Sequence, residues 1–119
     1  MDETRSERMS VYPLTSRVRI DVDGVQLADT LHAMELCEAN YPPRLYLPRE
    51  DVDMSRLVAS ETSTHCPFKG DASYFSIVLD DGVTYPDAVW TYEHPLDGAA
   101  AIRGRLVFDP RVAQACVES

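Results

Sequence analysis

A chain of 119 residues with 45% hydrophobic residues, three Phe, six Tyr and one Trp can build one modest core but not two. Eleven Lys and Arg against twenty Asp and Glu leave a formal charge of -9, which repels polyanions and argues against nucleic acid as a partner. The apolar runs are a few residues long, far short of the roughly twenty that cross a bilayer, and Met1 to Arg8 has no apolar signal core, so the expectation is a soluble, cytoplasmic protein with no membrane association.

Residues 1 to 12 are polar and without apolar period, and are expected to form a flexible arm ahead of a single domain over residues 13 to 119. Arg17 to Val22 alternates strictly, with Val18, Ile20 and Val22 on one face and Arg17, Arg19 and Asp21 on the other, which is a strand pattern. Asp23-Gly24 suits a tight hairpin turn, and Val25 to Asp29 reads as the returning strand. Leu31 to Glu38 has helical composition but alternates as a strand would, and is assigned as a strand. Pro42 and Pro43 end it, Leu45-Tyr46-Leu47 is a short extended run, and Glu50 to Leu57 suits one or two helical turns.

Thr64 to Tyr74 is the densest chemistry in the chain, with Cys66, His65, Lys69, Asp71 and Tyr74 gathered around Pro67 and Gly70, and Cys66 to Tyr74 is expected to be a loop. After it, Phe75, Ile77 and Leu79 share one face of a strand, and Asp81-Gly82 signals a second hairpin into Val83-Thr84-Tyr85. Ala88 to Tyr92 and Arg103 to Phe108 bring the count to at least six strands. Short strands punctuated by eight prolines and five glycines predict a mainly β, small antiparallel domain with at most one or two short helices.

The words Arg17-Val18-Arg19-Ile20, Tyr41-Pro42-Pro43, Tyr46-Leu47-Pro48, Cys66-Pro67-Phe68-Lys69-Gly70, Ala88-Val89-Trp90-Thr91-Tyr92 and Ala101-Ile102-Arg103-Gly104 resemble the DUF427 family over residues 16 to 108. The resemblance implies a fold of the β-tent type, here without the paired cysteines of its zinc-binding relatives. It also implies a nucleotidyltransferase label that some family members carry. After Phe108 the chain departs from the pattern of many members, continuing as Asp109-Pro110-Arg111.

Three activities compete for these residues. A metal-dependent nucleotidyltransferase needs carboxylates that hold two ions and a small turn that seats a triphosphate; Asp51 and Asp53 have the spacing, but no Gly-Ser pair precedes them. A thiol-dependent enzyme would use Cys66, with Lys69 favouring the thiolate, yet His65 is adjacent on an extended chain and points the other way. The third and leading expectation is a cleft beside the Cys66 to Tyr74 loop that binds a small polar or anionic metabolite. There Lys69 and Arg19 hold the anion, Asp71 orients Lys69 or acts as a base, and Tyr74, Trp90 and Tyr92 form an aromatic wall. No cofactor is implied. Cys37, Cys66 and Cys116 show no close ligand pair, so no metal site is assigned. A non-catalytic interaction module that pairs through a strand edge, as a homodimer or with another protein, is the alternative from a different class.

Overall fold

The structure, a computed structural model, describes residues 9–118. Ten strands and three 3-10 turns account for its regular structure. The first hairpin is where alternation and Asp23-Gly24 place it: β2 (Val18–Val22) pairs antiparallel with β3 (Val25–Thr30). Val18, Ile20 and Val22 are buried in alternation, and both Asp23 and Gly24 have positive φ. A third strand, β10 (Gln114–Val117), lies on the other side of β2, with Cys116 opposite Arg19. That strand, fully exposed, carries no burial pattern that sequence reading could detect.

A second sheet has the order β1 (Met9–Leu14), β4 (Ala33–Glu38), β5 (Arg44–Tyr46). Residues 9–12, expected in the arm, are therefore strand, held by pairing with β4 across Met9–Glu38 to Leu14–Ala33; residues 1–8 lie outside the described residues. The strand assigned to residues 31–38 begins at Ala33, and Leu31 is exposed.

The third sheet has the order β6 (Leu57–Cys66), β7 (Gly70–Val78), β8 (Thr84–Thr91), β9 (Leu106–Phe108). This overturns the loop expected from Cys66 to Tyr74. Leu57 to Cys66 is a ten-residue strand, and only Pro67, Phe68 and Lys69 form the turn into β7. Most of β6 is solvated Ser, Thr and Glu with no apolar period, so nothing in its composition announced a strand. The two runs read at Thr84 and Ala88 are one strand, bent where Asp87 takes φ 53°. Its register against β7 shifts between Phe75 and Ile77, and the Asp87 amide donates to Ser76 Oγ at 3.1 Å.

Helical structure is 3-10 only. Two turns, Arg49–Asp51 and Met54–Arg56, fall where one or two helical turns were expected; the third, Asp97–Ile102, buries Ala99 and Ile102. Mutual backbone bonds between Leu47 and Leu106, both 2.9 Å, tie the second sheet to the edge of the third. Among the described residues no helix is long and apolar enough to cross a membrane.

Candidate functional site

Two buried clusters fill the interior. One is aliphatic, drawing Val18, Ile20, Val22, Ile77, Val89 and Leu106 from the first and third sheets. The other is built around Leu36, Tyr46, Tyr92, Ile102 and Val107, with Tyr74, Trp90 and Cys66 packed against it. The second cluster does not close over. Above it the end of β4, the strand β5, the β6–β7 turn and the middle of β7 and β8 leave a cleft of ≈ 240 Å³.

The backbone explains how Lys69 enters this cleft. Its amide donates to Cys66 O at 3.2 Å, closing the three-residue turn, and its carbonyl accepts from Leu96 N at 2.9 Å. Gly70 then turns with φ 109°, and a Cβ there would meet His94 O at 3.4 Å, so the turn lies flat against residues 94–96. Pinned on both sides, Lys69 is only 8% exposed and sends Nζ to Glu38 Oε1 at 2.6 Å, 6.0 Å from the centre of the Tyr92 ring. The ion pair is itself well buried, with side-chain exposures of 10% and 18%. Burial of such a pair is tolerated because the attraction between the two charges offsets part of the cost of taking them from water.

Aromatic groups line the rest. Tyr74 and Trp90 are register partners on β7 and β8, with ring centres 6.2 Å apart and planes inclined at 43°. The Tyr74 hydroxyl shares a hydrogen bond of 2.8 Å with Thr64 Oγ1, which fixes the ring. Tyr46 and Tyr92 form the floor. Burial, and behind it neighbouring groups that include Glu38, raise both phenols well above the ordinary tyrosine range. Both hydroxyls therefore stay protonated at neutral pH. Tyr41 and Pro42 make the rim.

Arg44, the first residue of β5, also faces the cleft, and it reaches a second hollow of ≈ 350 Å³ across the Tyr74–Trp90 wall. There Asp109 is held by Arg111 through Nη2 to Oδ2 at 2.8 Å, and Asp87 accepts from Thr62 Oγ1 at 2.7 Å. The Arg111 bonds hold the Asp109 carboxyl below the usual carboxylate range. Arg44 itself has no ion pair or side-chain hydrogen bond among the described residues.

Of the residues singled out in the sequence, Lys69, Tyr74, Trp90 and Tyr92 line this cleft. Arg19 does not. It sits on β2, against β10, and pairs with Glu118 Oε2 at 2.8 Å. Asp71 faces outward from β7, where its Oδ1 and His65 Nδ1 lie 2.7 Å apart, both side chains largely exposed. It neither orients Lys69 nor reaches the cleft, because Asp71 and Lys69 lie on either side of the Gly70 turn. Cys66 ends β6 half-buried against the aromatic cluster, and the adjacent His65 points away from Cys66 and toward Asp71. The geometry thus gives Cys66 no imidazole partner from its own strand.

Asp51 and Asp53 are both engaged, the first by a residue of β3 and the second as a cap. Asp51 Oδ2 accepts from Thr30 Oγ1 at 2.7 Å, while Asp53 Oδ1 accepts from the Ser55 amide at 3.1 Å at the start of the second 3-10 turn. Among the described residues no group of three or more His, Cys, Asp or Glu side chains is placed to hold a metal ion.

Residues 10–119 match the family model described as a domain of unknown function (DUF427). The chain belongs to the DUF427 family. No curated protein matches it. The family match covers both walls of the cleft, from Glu38 on β4 to Tyr92 after β8, as well as β1 and β10, which lie outside the stretch whose motifs carried the resemblance. Three residues central to the DUF427 cleft carry little signal in the sequence. Glu38 reads as a solvated charge, Tyr46 as part of a short extended run, and Arg44 as an ordinary residue after two prolines. Only the pairing of β4 with β5, which sets Leu36 opposite Arg44 and Met34 opposite Tyr46, puts the three beside one another.

Proposed function

We propose that this DUF427 domain binds a small anion carrying a ring in the cleft between the β4–β5 pair and the β7–β8 pair. Arg44 holds the anionic group, Trp90 and Tyr74 pack on the ring, and the protonated Tyr46 and Tyr92 hydroxyls donate hydrogen bonds from the floor. The observation that carries this reading is the state of the charges. Lys69 is matched by Glu38 and Arg111 by Asp109, whereas Arg44 opens on the same cavities with no ion pair or side-chain hydrogen bond among the described residues. A guanidinium is suited to take a planar carboxylate through two parallel bonds. The three free thiols fit a reducing, cytoplasmic setting.

The chain's one tryptophan is Trp90, which lines both the cleft and the second hollow, so its indole reports on these two neighbouring cavities. A metabolite panel screened by thermal shift and by the Trp90 indole N–H resonance should yield ring-bearing anions that raise the melting temperature and move that resonance. Arg44→Ala should abolish both effects while melting close to the parent. Equal responses in parent and variant would refute the reading.

A second reading, strand addition along β6, has its own observation: β6 is a free edge of the third sheet, ten residues long, with one acidic side chain, Glu61. The bulge between Ala59 and Ser63 interrupts that edge, the device by which sheets commonly resist further pairing. Sedimentation as a monomer at high concentration would remove self-association through it.

A further inference from the structure

The two cations of the cleft are not equivalent, and the reason is Glu38. Its carboxylate lies 2.6 Å from Lys69 Nζ with both side chains at least four-fifths buried, so Lys69 brings no net charge to a ligand. Arg44 is the cation of the cleft with no ion pair or side-chain hydrogen bond among the described residues; Asp109, already bonded to Arg111, feels its charge, and the far hollow adds no free cation, since Arg111 answers Asp109 and Asp87 is negative. The whole chain is at -9, which penalises every further negative charge brought to it.

We infer that Glu38 is a charge filter that restricts the cleft to singly charged anions, of the carboxylate class, and excludes dianions such as phosphate monoesters. This rests on the ligand-binding reading above and names the class of ligand it admits. A carboxylate places one charge against one free guanidinium. A phosphate monoester carries close to two charges above its second ionisation, and its second charge meets the buried Glu38 carboxylate instead of a free ammonium. Glu38 thus acts on the ligand through Lys69, by deciding whether that ammonium is available.

The test uses phenylacetate and phenyl phosphate as matched probes at about pH 8, where the ester is a dianion, read by the Trp90 indole resonance. The parent should bind phenylacetate about tenfold or more tightly than phenyl phosphate, a difference of about 1.4 kcal/mol. Glu38→Gln keeps the size of the side chain and an acceptor for Lys69 but frees its charge, and should narrow or invert that ratio by strengthening the phosphate. Because Glu38→Gln could lower stability, the doubly neutral Glu38→Gln/Lys69→Gln serves as a second variant and should retain the preference for phenylacetate. Equal binding of both probes by the parent, or an unchanged ratio in Glu38→Gln, would overturn the filter while leaving the cleft intact. If neither probe perturbs Trp90 in the parent, the ligand-binding reading fails with it.

Discussion

The two buried clusters of this domain were assembled from the same ten strands yet ended differently. Around Val18, Ile20, Val22, Ile77 and Val89, branched aliphatic side chains along β2, β7 and β8 pack out of reach of water; the first three, Ile77 and Val89 are 3% exposed or less. Around Leu36, Tyr46 and Tyr92 the space is filled by rings with polar ends, and a ring that must keep its hydroxyl bonded cannot be packed as freely as an isoleucine. The aliphatic half opens only into a small hollow of ≈ 130 Å³ beside Ile20, Leu47 and Phe108, and specifies the fold. The aromatic half opens into the larger cleft and exposes a matched ion pair and an arginine with no ion pair among the described residues.

The sharpest way to break this contrast is to damage each half in turn. Ile77→Ala should cost about 2–5 kcal/mol, the range for emptying a closed aliphatic site, measured by denaturant unfolding, with the Trp90 resonance unchanged. Leu36→Ala should cost a similar amount, since Leu36 is 1% exposed, but should also move that resonance, because Leu36 supports the strand that ends at Glu38. If Leu36→Ala left Trp90 undisturbed, the aromatic cluster would not be the foundation of the cleft.

Next in size is the ion pair. Lys69→Ala strands the Glu38 carboxylate in a mostly buried place, and should cost about 3 kcal/mol, the lower end for a broken buried pair because Glu38 keeps some solvent. Replacing both, as Lys69→Met with Glu38→Leu, should recover most of that loss to within about 1 kcal/mol. A double variant as unstable as the single would mean that Lys69 stabilises by packing on Tyr92 and not by answering Glu38.

Titration reads the aromatic side from both ends of the pH scale. The Asp109 carboxyl is held low by Arg111, so its stabilisation is in place above the ordinary aspartate value of about 3.9 and drains away as pH falls through the folded value. Asp109→Asn should therefore flatten the acid limb of the stability curve. Tyr46 and Tyr92 behave oppositely: burial raises both, so the folded form keeps its protons longer than the unfolded chain. Stability should be intact below about pH 10, the ordinary tyrosine value, and fall as pH rises beyond it. Tyr92→Phe should delay that alkaline loss, and an unchanged alkaline midpoint would show that the floor is wetter than its burial implies.

How far each half could be read beforehand follows from the kind of pattern it uses. Val18, Ile20 and Val22 with Asp23-Gly24 spell a strand and a turn in adjacent letters, and the hairpin is where they say. The cleft is written across distance. Lys69, Tyr74, Trp90 and Tyr92 stand out by chemistry and do converge, but Arg44 and Glu38 join them only through β4–β5 pairing, which no local period encodes. Strands β6 and β10 are exposed along most of their length, so neither the two-residue period nor apolar composition marks them. Arg19 lies away from the cleft for a related reason: alternation shows that it is on the polar face of β2, and says nothing of Glu118, just past β10, which pairs with it.

The smallest expected effect concerns the pair that looks most like catalytic machinery. His65 and Asp71 are opposed in the β6–β7 register with Nδ1 and Oδ1 2.7 Å apart, but their side chains are 66% and 79% exposed. An imidazole and a carboxylate so solvated gain little from one another, and removing either should change stability by no more than about 0.5 kcal/mol. Asp71→Asn and His65→Ala should also leave the Trp90 resonance and its response to ligand as in the parent, because the β-strand alternation that turns these two outward turns Ala72 and Cys66 inward. A loss of ligand response in either variant would place the working site on the outer face of this hairpin, and would make the open aromatic cluster a packing feature.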